Sequence, residues 1–209
     1  MLDLRTSNAK VTPPRQPAQE RSAARMTKVL ETAEQLLEQL GPEKTSIPAI
    51  AEASGVPRAA IYPFFPDKYA LFSHLARLHM ERLVVVLSEA RLDNAADDDW
   101  RAWVQVLIET ATDYYNRHPV ASILLLRGAL ADGDDQAHAV KNQAISTLLR
   151  TKMSALTALP ESPDAAVLSV EIAFACMKYG YAQEGSISAT LCREAVHAAQ
   201  AYLAQWARR

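Results

Sequence analysis

The sequence predicts an all-α protein in which a small helix-turn-helix head precedes a larger helical body, with about nine helices in total. Three observations lead to this fold class. Ala and Leu, which favour helices, are abundant among the hydrophobic residues that make up 49% of the 209-residue chain. Aromatic residues make up only 7%, and Gly occurs 6 times. Apolar residues recur at spacings of three and four, which is the helical period, and no segment alternates as a strand does.

Composition and charge narrow the function classes. No window holds the roughly 18 uninterrupted apolar residues of a membrane span, and no secretory signal is visible. Cys176 and Cys192 are too few for a disulfide framework, so we expect a cytoplasmic protein without membrane attachment. Residues 1–68 carry 9 Lys+Arg and 8 Asp+Glu, a net charge of +1. The remaining residues carry 13 Lys+Arg and 16 Asp+Glu, a net charge of −3, which gives −2 for the whole chain. A claim of DNA binding therefore has to rest on a motif rather than on bulk charge.

The chain is expected to begin with an arm and one long helix. Residues 1–17 are polar and interrupted by prolines, so we expect a disordered arm. A helical period starts near Ala18 and stops at Gly41-Pro42, because Gly suits the position after a helix and Pro cannot continue one. The apolar face of this helix is expected to be Met26, Val29, Leu30, Ala33, Leu36, Leu37 and Leu40.

Two short helices are expected next. Thr45 or Ser46 can cap a helix that runs to about Ala53. After a tight turn, Pro57 suits the first position of another helix that runs to about Tyr62. Both segments are short enough to belong to a compact three-helix head.

The body is expected to consist of longer helices separated by Pro, Gly and Asp. Asp67 is expected to cap the first of these, which starts near Lys68 and ends near residue 91. An acidic run at residues 97–99 suits the N-terminus of the next helix, which ends at His118-Pro119. Further helices are expected at about residues 119–130, 136–159, 163–184 and 191–206.

The most informative stretch is residues 45–72, TSIPAIAEASGVPRAAIYPFFPDKYALF. Apolar residues on its two short helices can pack together, and Gly55 lies where a tight turn needs a residue without Cβ restraint. The second short helix exposes Arg58, Ala59 and Ala60 at its N-terminal end. In helix-turn-helix proteins this end of the second helix contacts base edges in the major groove.

The order and spacing of these residues resemble the tetracycline-repressor (TetR) family over about residues 22–72. The matching positions are Gly41, Thr45-Ser46, Ile50-Ala51, Gly55-Val56, Tyr62, Phe65, Lys68 and Leu71. The resemblance implies a sequence-specific, DNA-binding transcriptional regulator. It divides the chain into the arm (1–17), a helix-turn-helix DNA-binding domain (18–68) and a ligand-binding and dimerisation domain (69–209).

The resemblance also implies roles for residues of the head. Thr45 and Ser46 look placed to hold a phosphate, and Tyr62 and Lys68 look like further phosphate contacts. The recognition positions Arg58, Ala59 and Ala60 would lie at base edges; Arg58 would pair with guanine if it turns inward and with phosphate if it turns outward. Two positions depart from the family pattern. Phe64 replaces a His or Tyr and loses a polar phosphate contact, and Pro63 shortens the recognition helix.

For the body, the resemblance implies a ligand pocket and a homodimer. The candidate pocket residues are Trp103, Leu107, Tyr114, Met153, Phe174, Met177 and Tyr181. The candidate dimer residues, on the last two helices, are Val167, Val170, Leu191, Ala195, Ala198 and Tyr202. Plain hydrophobic core is the alternative for members of both sets. Gly180, inside a helix, is expected to permit close helix packing or ligand approach.

Catalysis finds little support in the sequence. The five histidines lack metal-ligand spacing, and no nucleophile elbow, phosphate loop or dinucleotide fingerprint is present. We therefore expect no enzyme activity, metal or cofactor. The leading hypothesis is a repressor released from its operator by a small molecule. The alternatives are a regulator of the same fold controlled by a protein partner or by DNA alone, and a helical interaction or enzyme module that keeps only the fold of the head.

Overall fold

The computed structural model describes residues 18–92, 99–128, 135–152 and 159–206. In these ranges the chain forms nine α-helices and one π-helical segment, and no strand, so the predicted all-α class is confirmed. The expected arm, residues 1–17, lies outside the described residues. The helices are α1 (Ala18–Lys44), α2 (Ile47–Ser54), α3 (Arg58–Ile61), α4 (Lys68–Glu89), α5 (Trp100–Arg117), α6 (Pro119–Ala121), α7 (Asp135–Lys152), α8 (Ala165–Glu184) and α9 (Ala189–Leu203), with the π-helical segment Ser122–Leu126 between α6 and α7.

Helix α1 follows the predicted pattern except near its end. Val29, Ala33 and Leu37 are fully buried, as a stripe at helical spacing requires. The backbone of Gly41 leaves the helical path at φ 77°, so the predicted break lies where expected, and the chain makes one further turn to Lys44. Leu40, expected on the apolar face, is 46% exposed, because its side chain points away from the core just before this break.

Side chains cap the N-termini of several helices, among them α2, α4 and α5. The Ser46 hydroxyl accepts a hydrogen bond from the Ala49 N–H at the start of α2, and Asp67 accepts one from the Ala70 N–H at the start of α4. Asp99, the described member of the predicted acidic run, caps α5. Pro57 lies at the cap position before α3 rather than inside it.

The body packs α4, α5, α7, α8 and α9 around one core. Helices α8 and α9 make the most extensive contact, and a Cβ added at Gly180 would lie 3.1 Å from the side chain of Leu191. The close helix packing expected of Gly180 is therefore present. Among the described helices, α8 has the length and apolar composition of a membrane span; here it packs against α7 and α9.

Helix α4 joins the head, formed by α1–α3, to the body, formed by α4–α9. Its first half carries the buried residues Leu71 and Phe72, and its second half carries the buried Leu83 and Leu87. It contacts α1 on one side and α5, α7 and the π-helical segment on the other. The π-helical segment also touches α1 and α8, so the head and the body share a continuous packed boundary.

Candidate nucleic-acid interface and internal cavity

The short helix α3 presents one buried side and one open side. Ile61 is fully buried and anchors the helix against α2. Arg58 and Ala59, at the N-terminal end, are exposed, and Ala60 is half-buried. The three predicted recognition positions therefore lie together at the open end of a helix whose other side is fixed in the core.

A buried serine that the sequence analysis did not single out holds the turn between α2 and α3. The hydroxyl of Ser54 donates to the Ala51 carbonyl at 3.4 Å and accepts from the Val56 N–H at 3.2 Å. Gly55, in the left-handed region at φ 67°, reverses the chain after α2. This turn fixes the direction in which α3 leaves the head.

The two predicted phosphate-binding residues before α2 differ in their surroundings. Ser46 is half-buried and caps α2, so it lies beside the open N-terminus of that helix. Thr45 is fully buried, and both its hydroxyl and its backbone N–H donate to the Gly41 carbonyl, at 2.8 Å and 3.2 Å. The phosphate contact expected of Thr45 is therefore corrected: its donors hold the end of α1.

Exposed aromatic rings follow α3. Tyr62 is 45% exposed and Phe64 is 53% exposed, and Tyr69, on the first turn of α4, is exposed as well. Lys68 lies among them; its Nζ donates to the Pro42 carbonyl at 3.0 Å and stands 5.3 Å from the centre of the Tyr69 ring. Lys68 thus ties α4 to the end of α1 at the edge of this surface, and Tyr69 is a surface residue that the motif did not indicate.

An internal cavity of about 70 Å³ lies in the body and is almost entirely apolar. Three of the predicted pocket residues, Leu107, Phe174 and Met177, form part of its wall. The wall consists of Leu83, Leu87, Val104, Leu107, Ile108, Ala111, Tyr115, Ile145, Leu149, Ser169, Val170, Ala173, Phe174, Met177, Ala199 and Leu203. Five helices therefore contribute to it, including α4.

The other pocket candidates lie elsewhere. Trp103 is buried core outside the cavity wall, and Tyr181 is half-buried outside it, where burial raises the pKa of its hydroxyl. Tyr114 faces α4 instead of the cavity, because its hydroxyl bonds to His79; burial there raises the pKa of Tyr114 to about 12. Met153 lies outside the described residues. These corrections have one reason: each helix has more than one buried face, and the sequence pattern does not say which face meets the cavity.

The predicted dimer residues are divided in the same way. Ala195 is fully buried, Leu191 packs against Gly180, and Val170 lines the cavity, so these three serve the core of the protomer itself. The assignment of the fully buried Ala195 to the dimer surface is corrected. The other five predicted residues are half-buried, and the apolar side chains of Leu168 and Tyr179 on α8 are exposed.

Comparison with known proteins finds similarity in the head and, with one relative, over nearly half of the chain. Residues 29–75 match the family model described as bacterial regulatory proteins of the tetR family. A protein named HTH-type transcriptional repressor from Mycobacterium tuberculosis is 33% identical over 99 residues; the alignment covers 45% of this chain and 53% of that relative, about half of its length.

Solved structures share the fold over nearly the whole chain. A TetR-family transcriptional regulator from Streptomyces coelicolor superposes with a TM-score of 0.67 at 22% identity, covering 88% of this chain and 98% of the other. A TetR transcriptional regulator from Rhodococcus sp. RHA1 gives 0.64 at 19% identity, covering 88% and 97%. A structure described as a SmeT-triclosan complex gives 0.58 at 15% identity, covering 88% and 92%.

The fold and the exposed end of α3 define an all-α protein with a helix-turn-helix head. More specifically, this head matches the tetR family of bacterial regulatory proteins over residues 29–75, and the chain shares its fold with solved structures of TetR-family regulators.

Proposed function

We propose that this chain is a cytoplasmic, homodimeric repressor that binds operator DNA through α3 and is released by a small molecule bound in its body. The observation that carries the proposal is the open N-terminal end of α3, with Arg58 and Ala59 exposed above the buried anchor Ile61. A short helix fixed in this way can enter a major groove without rearrangement of the head. The named repressor among the relatives supports the direction of regulation.

The contacts to DNA follow from the surface around α3. Arg58 carries the one long side chain at the recognition positions, and a bidentate bond to guanine is the contact for which its guanidinium is best suited. Tyr62 offers an exposed hydroxyl and Ser46 lies at a helix N-terminus, and both groups suit phosphate oxygens. Lys68 adds positive charge at the edge of the surface.

Binding to the DNA beside the coding region of the protein tests this interface. Arg58→Ala is expected to weaken specific binding by about 10- to 100-fold, as the loss of a bidentate base contact does. Tyr62→Phe removes one phosphate contact and is expected to weaken binding to all sequences alike. Arg193→Ala, which removes an exposed charge on α9, is the matched control and should leave the affinity unchanged. Equal affinities for all three variants and the parent chain would contradict the interface.

The apolar cavity supports the small-molecule part of the proposal. Its polar groups are the hydroxyls of Tyr115 and Ser169, and the Ser169 hydroxyl already donates to the Ala166 carbonyl at 2.7 Å. Among the described residues of the wall no side chain is charged, and a charge moved there would lose its hydration without a partner. The ligand is therefore a compact, uncharged, mostly apolar molecule. A structure of similar fold is described as a triclosan complex, which is consistent with such a site.

Helix α4 couples the ligand-binding cavity to the head. Leu83 and Leu87 stand in the cavity wall, and α3 is followed directly by the start of the same helix. A ligand that prefers one position of α4 shifts the population of head positions, and with it the distance between the two recognition helices of a dimer. The two recognition helices of the dimer then fit the operator less well.

A pair of probes that differ in charge tests the cavity. Toluene is expected to raise the midpoint of thermal unfolding, while benzoate, which is similar in size and charged, is expected to have no effect. Ala173→Leu fills part of the cavity and should abolish the toluene effect, whereas Ala198→Leu, on the outer side of α9, should retain it. Equal shifts with toluene in both variants would rule out binding in the cavity.

The surface for a second copy is the outer side of α8 and α9. Tyr179 is 61% exposed and Leu168 is exposed on the same helix, and a self-complementary apolar patch is what a two-fold dimer requires. Tyr179→Glu is expected to convert the dimer to a monomer in sedimentation equilibrium. A chain that is monomeric before the substitution would contradict the proposed assembly.

A further inference from the structure

The boundary between head and body contains an open cleft of about 410 Å³ with charged walls. Helix α1 contributes the carboxylates of Glu31, Glu34 and Glu38. Helix α4 contributes His79 and Arg82, α5 contributes Arg117, and His118 directly follows α5. This arrangement places opposite charges of the head and the body on facing sides.

His79 is the buried centre of this boundary, with only 3% of its surface exposed. Its Nδ1 lies 3.0 Å from the hydroxyl oxygen of Tyr114, and the same hydroxyl lies 3.0 Å from the His79 carbonyl oxygen. A carbonyl can only accept, so the one hydroxyl proton goes to it. With that assignment the hydroxyl oxygen accepts from the ring, and a neutral His79 then carries its proton on Nδ1.

This tautomer decides how His79 meets α1. Its Nε2 faces a carboxylate oxygen of Glu34 at 3.2 Å and has no well-aligned hydrogen-bond partner among the described residues. When Nε2 also carries a proton, the ring is an imidazolium beside a carboxylate, and the contact is attractive. When Nε2 loses that proton, its lone pair faces the carboxylate, and the contact is repulsive.

We propose that His79 is a proton-operated latch between the DNA-binding head and the body. The doubly protonated ring holds Glu34 of α1 against α4, and the ring with a single proton on Nδ1 releases it. The proton is exchanged with solvent in the adjoining cleft. Because α1 carries the remainder of the head, release loosens the position of α3 relative to the body.

Charged and titratable groups surround the latch. The neighbouring His79 lowers the pKa of Glu34, although burial acts against this, and Arg82 lowers it further from 3.6 Å. Glu34 therefore stays ionised to lower pH than an ordinary Glu, and its contribution is lost only as pH falls through this lowered value. Burial and the nearby His79 lower the pKa of His118, and Arg117 acts in the same direction. The latch is thus closed while the His79 ring carries both protons and open when it carries one.

A double-mutant cycle on the full chain tests the latch without using DNA. The cycle combines Glu34→Gln and His79→Gln, and unfolding is measured at about pH 6 and about pH 8.5, on either side of the range in which histidines titrate. The coupling is expected to change the unfolding equilibrium constant about tenfold at the lower pH and less than about twofold at the higher pH. Equal coupling at both values, or none at either, would overturn the proposal.

Nitrogen NMR of the parent chain gives a second readout, which remains available if His79→Gln does not fold. In the neutral ring, Nδ1 of His79 is expected to carry the proton and Nε2 to carry none. A neutral ring with its proton on Nε2 would overturn the tautomer on which the latch depends. His197→Gln, which removes an exposed histidine on α9, should leave both results unchanged.

The consequence for DNA binding is examined separately, so that the latch and the proposed function can fail independently. The dependence of DNA affinity on pH between about 6 and about 8.5 is expected to flatten in Glu34→Gln but not in His197→Gln. If the parent chain binds no DNA, the unfolding cycle and the NMR titration still decide whether the latch exists.

Discussion

Gly180 illustrates how one missing side chain sets the distance between two helices. A Cβ at this position would lie 3.1 Å from both Cβ and Cγ of Leu191, closer than carbon atoms normally approach. The absent Cβ therefore lets α8 and α9 make their long contact. Glycine inside a helix costs about 1 kcal/mol relative to alanine, so close packing has been retained at the expense of helix stability.

Because the two effects oppose each other, Gly180→Ala is expected to change the free energy of unfolding in opposite directions in two backgrounds. In the parent chain Gly180→Ala is expected to lower the free energy of unfolding, because the new methyl group overlaps Leu191. In a Leu191→Gly background, which removes both of the overlapping atoms, the same substitution is expected to raise it by about 1 kcal/mol, because only the gain in helix propensity remains. Urea denaturation of the four chains checks both signs. The same sign in both backgrounds would contradict the proposed contact.

Ser54 provides a second test, in the head. Ser54→Ala leaves the Val56 N–H without its acceptor in a buried turn, which is expected to cost about 1–3 kcal/mol. Ser88→Ala, at an exposed serine of α4, is the control and is expected to change stability by less than about 0.5 kcal/mol. Denaturation curves of the two variants should therefore separate clearly. A loss no larger than the control would mean that the turn does not depend on this hydroxyl.

At the scale of elements, helix starts and stops were the most predictable features. Ser46, Asp67 and Asp99 cap the helices that the sequence assigned to them, because a cap needs only a local hydrogen bond to the next turn. The π-helical segment Ser122–Leu126 was not predicted. All five of its residues are buried, so the segment has no polar face whose period could reveal the extra residue in its turn.

The start of α8 carries a pH-dependent contribution to stability. Asp164 accepts from the N–H groups of Ala166 and Val167 and pairs with Arg150 at 2.7 Å. Burial raises the pKa of Asp164, but the hydrogen bond from Val167 and the guanidinium of Arg150 outweigh it, so the net shift is downward from 3.8. A lowered carboxyl pKa stabilises the fold above the unfolded value, and the contribution disappears as pH falls through the folded value.

Asp164→Asn is therefore expected to be destabilising at pH 7, because asparagine keeps the cap but loses the ion pair. The difference from the parent chain is expected to shrink as pH falls below the ordinary value of 3.8. Denaturant unfolding at a series of pH values from about 7 to about 3 measures it. Asp113→Asn removes an exposed ion pair with Arg117 and is expected to have little effect at any pH. A constant deficit over the whole series would contradict the role of the charge.

At the scale of the whole molecule, the contacts between distant segments could not be read from the sequence. Tyr114 lies on the same apolar stripe as Leu107, yet it bonds to His79, 35 residues away, while Leu107 meets the cavity. The role of Thr45 likewise depends on the path of the chain at Gly41, because the Gly41 carbonyl accepts a hydrogen bond from the Thr45 hydroxyl. The recognition positions Arg58 and Ala59 were predictable because their exposure follows from the local period of a short helix anchored by Ile61.

Selection of binding sites from a pool of random DNA tests the central claim most directly, because it assumes nothing about where the operator lies. A dimer with two α3 helices is expected to enrich a palindromic site whose half-sites lie about one helical turn, or a multiple of it, apart. The enriched site should bind at least about 1,000-fold more tightly than unrelated DNA at physiological salt. Failure to enrich any sequence, with equal and salt-sensitive affinity for all DNA, would contradict the account of this chain as a sequence-specific regulator.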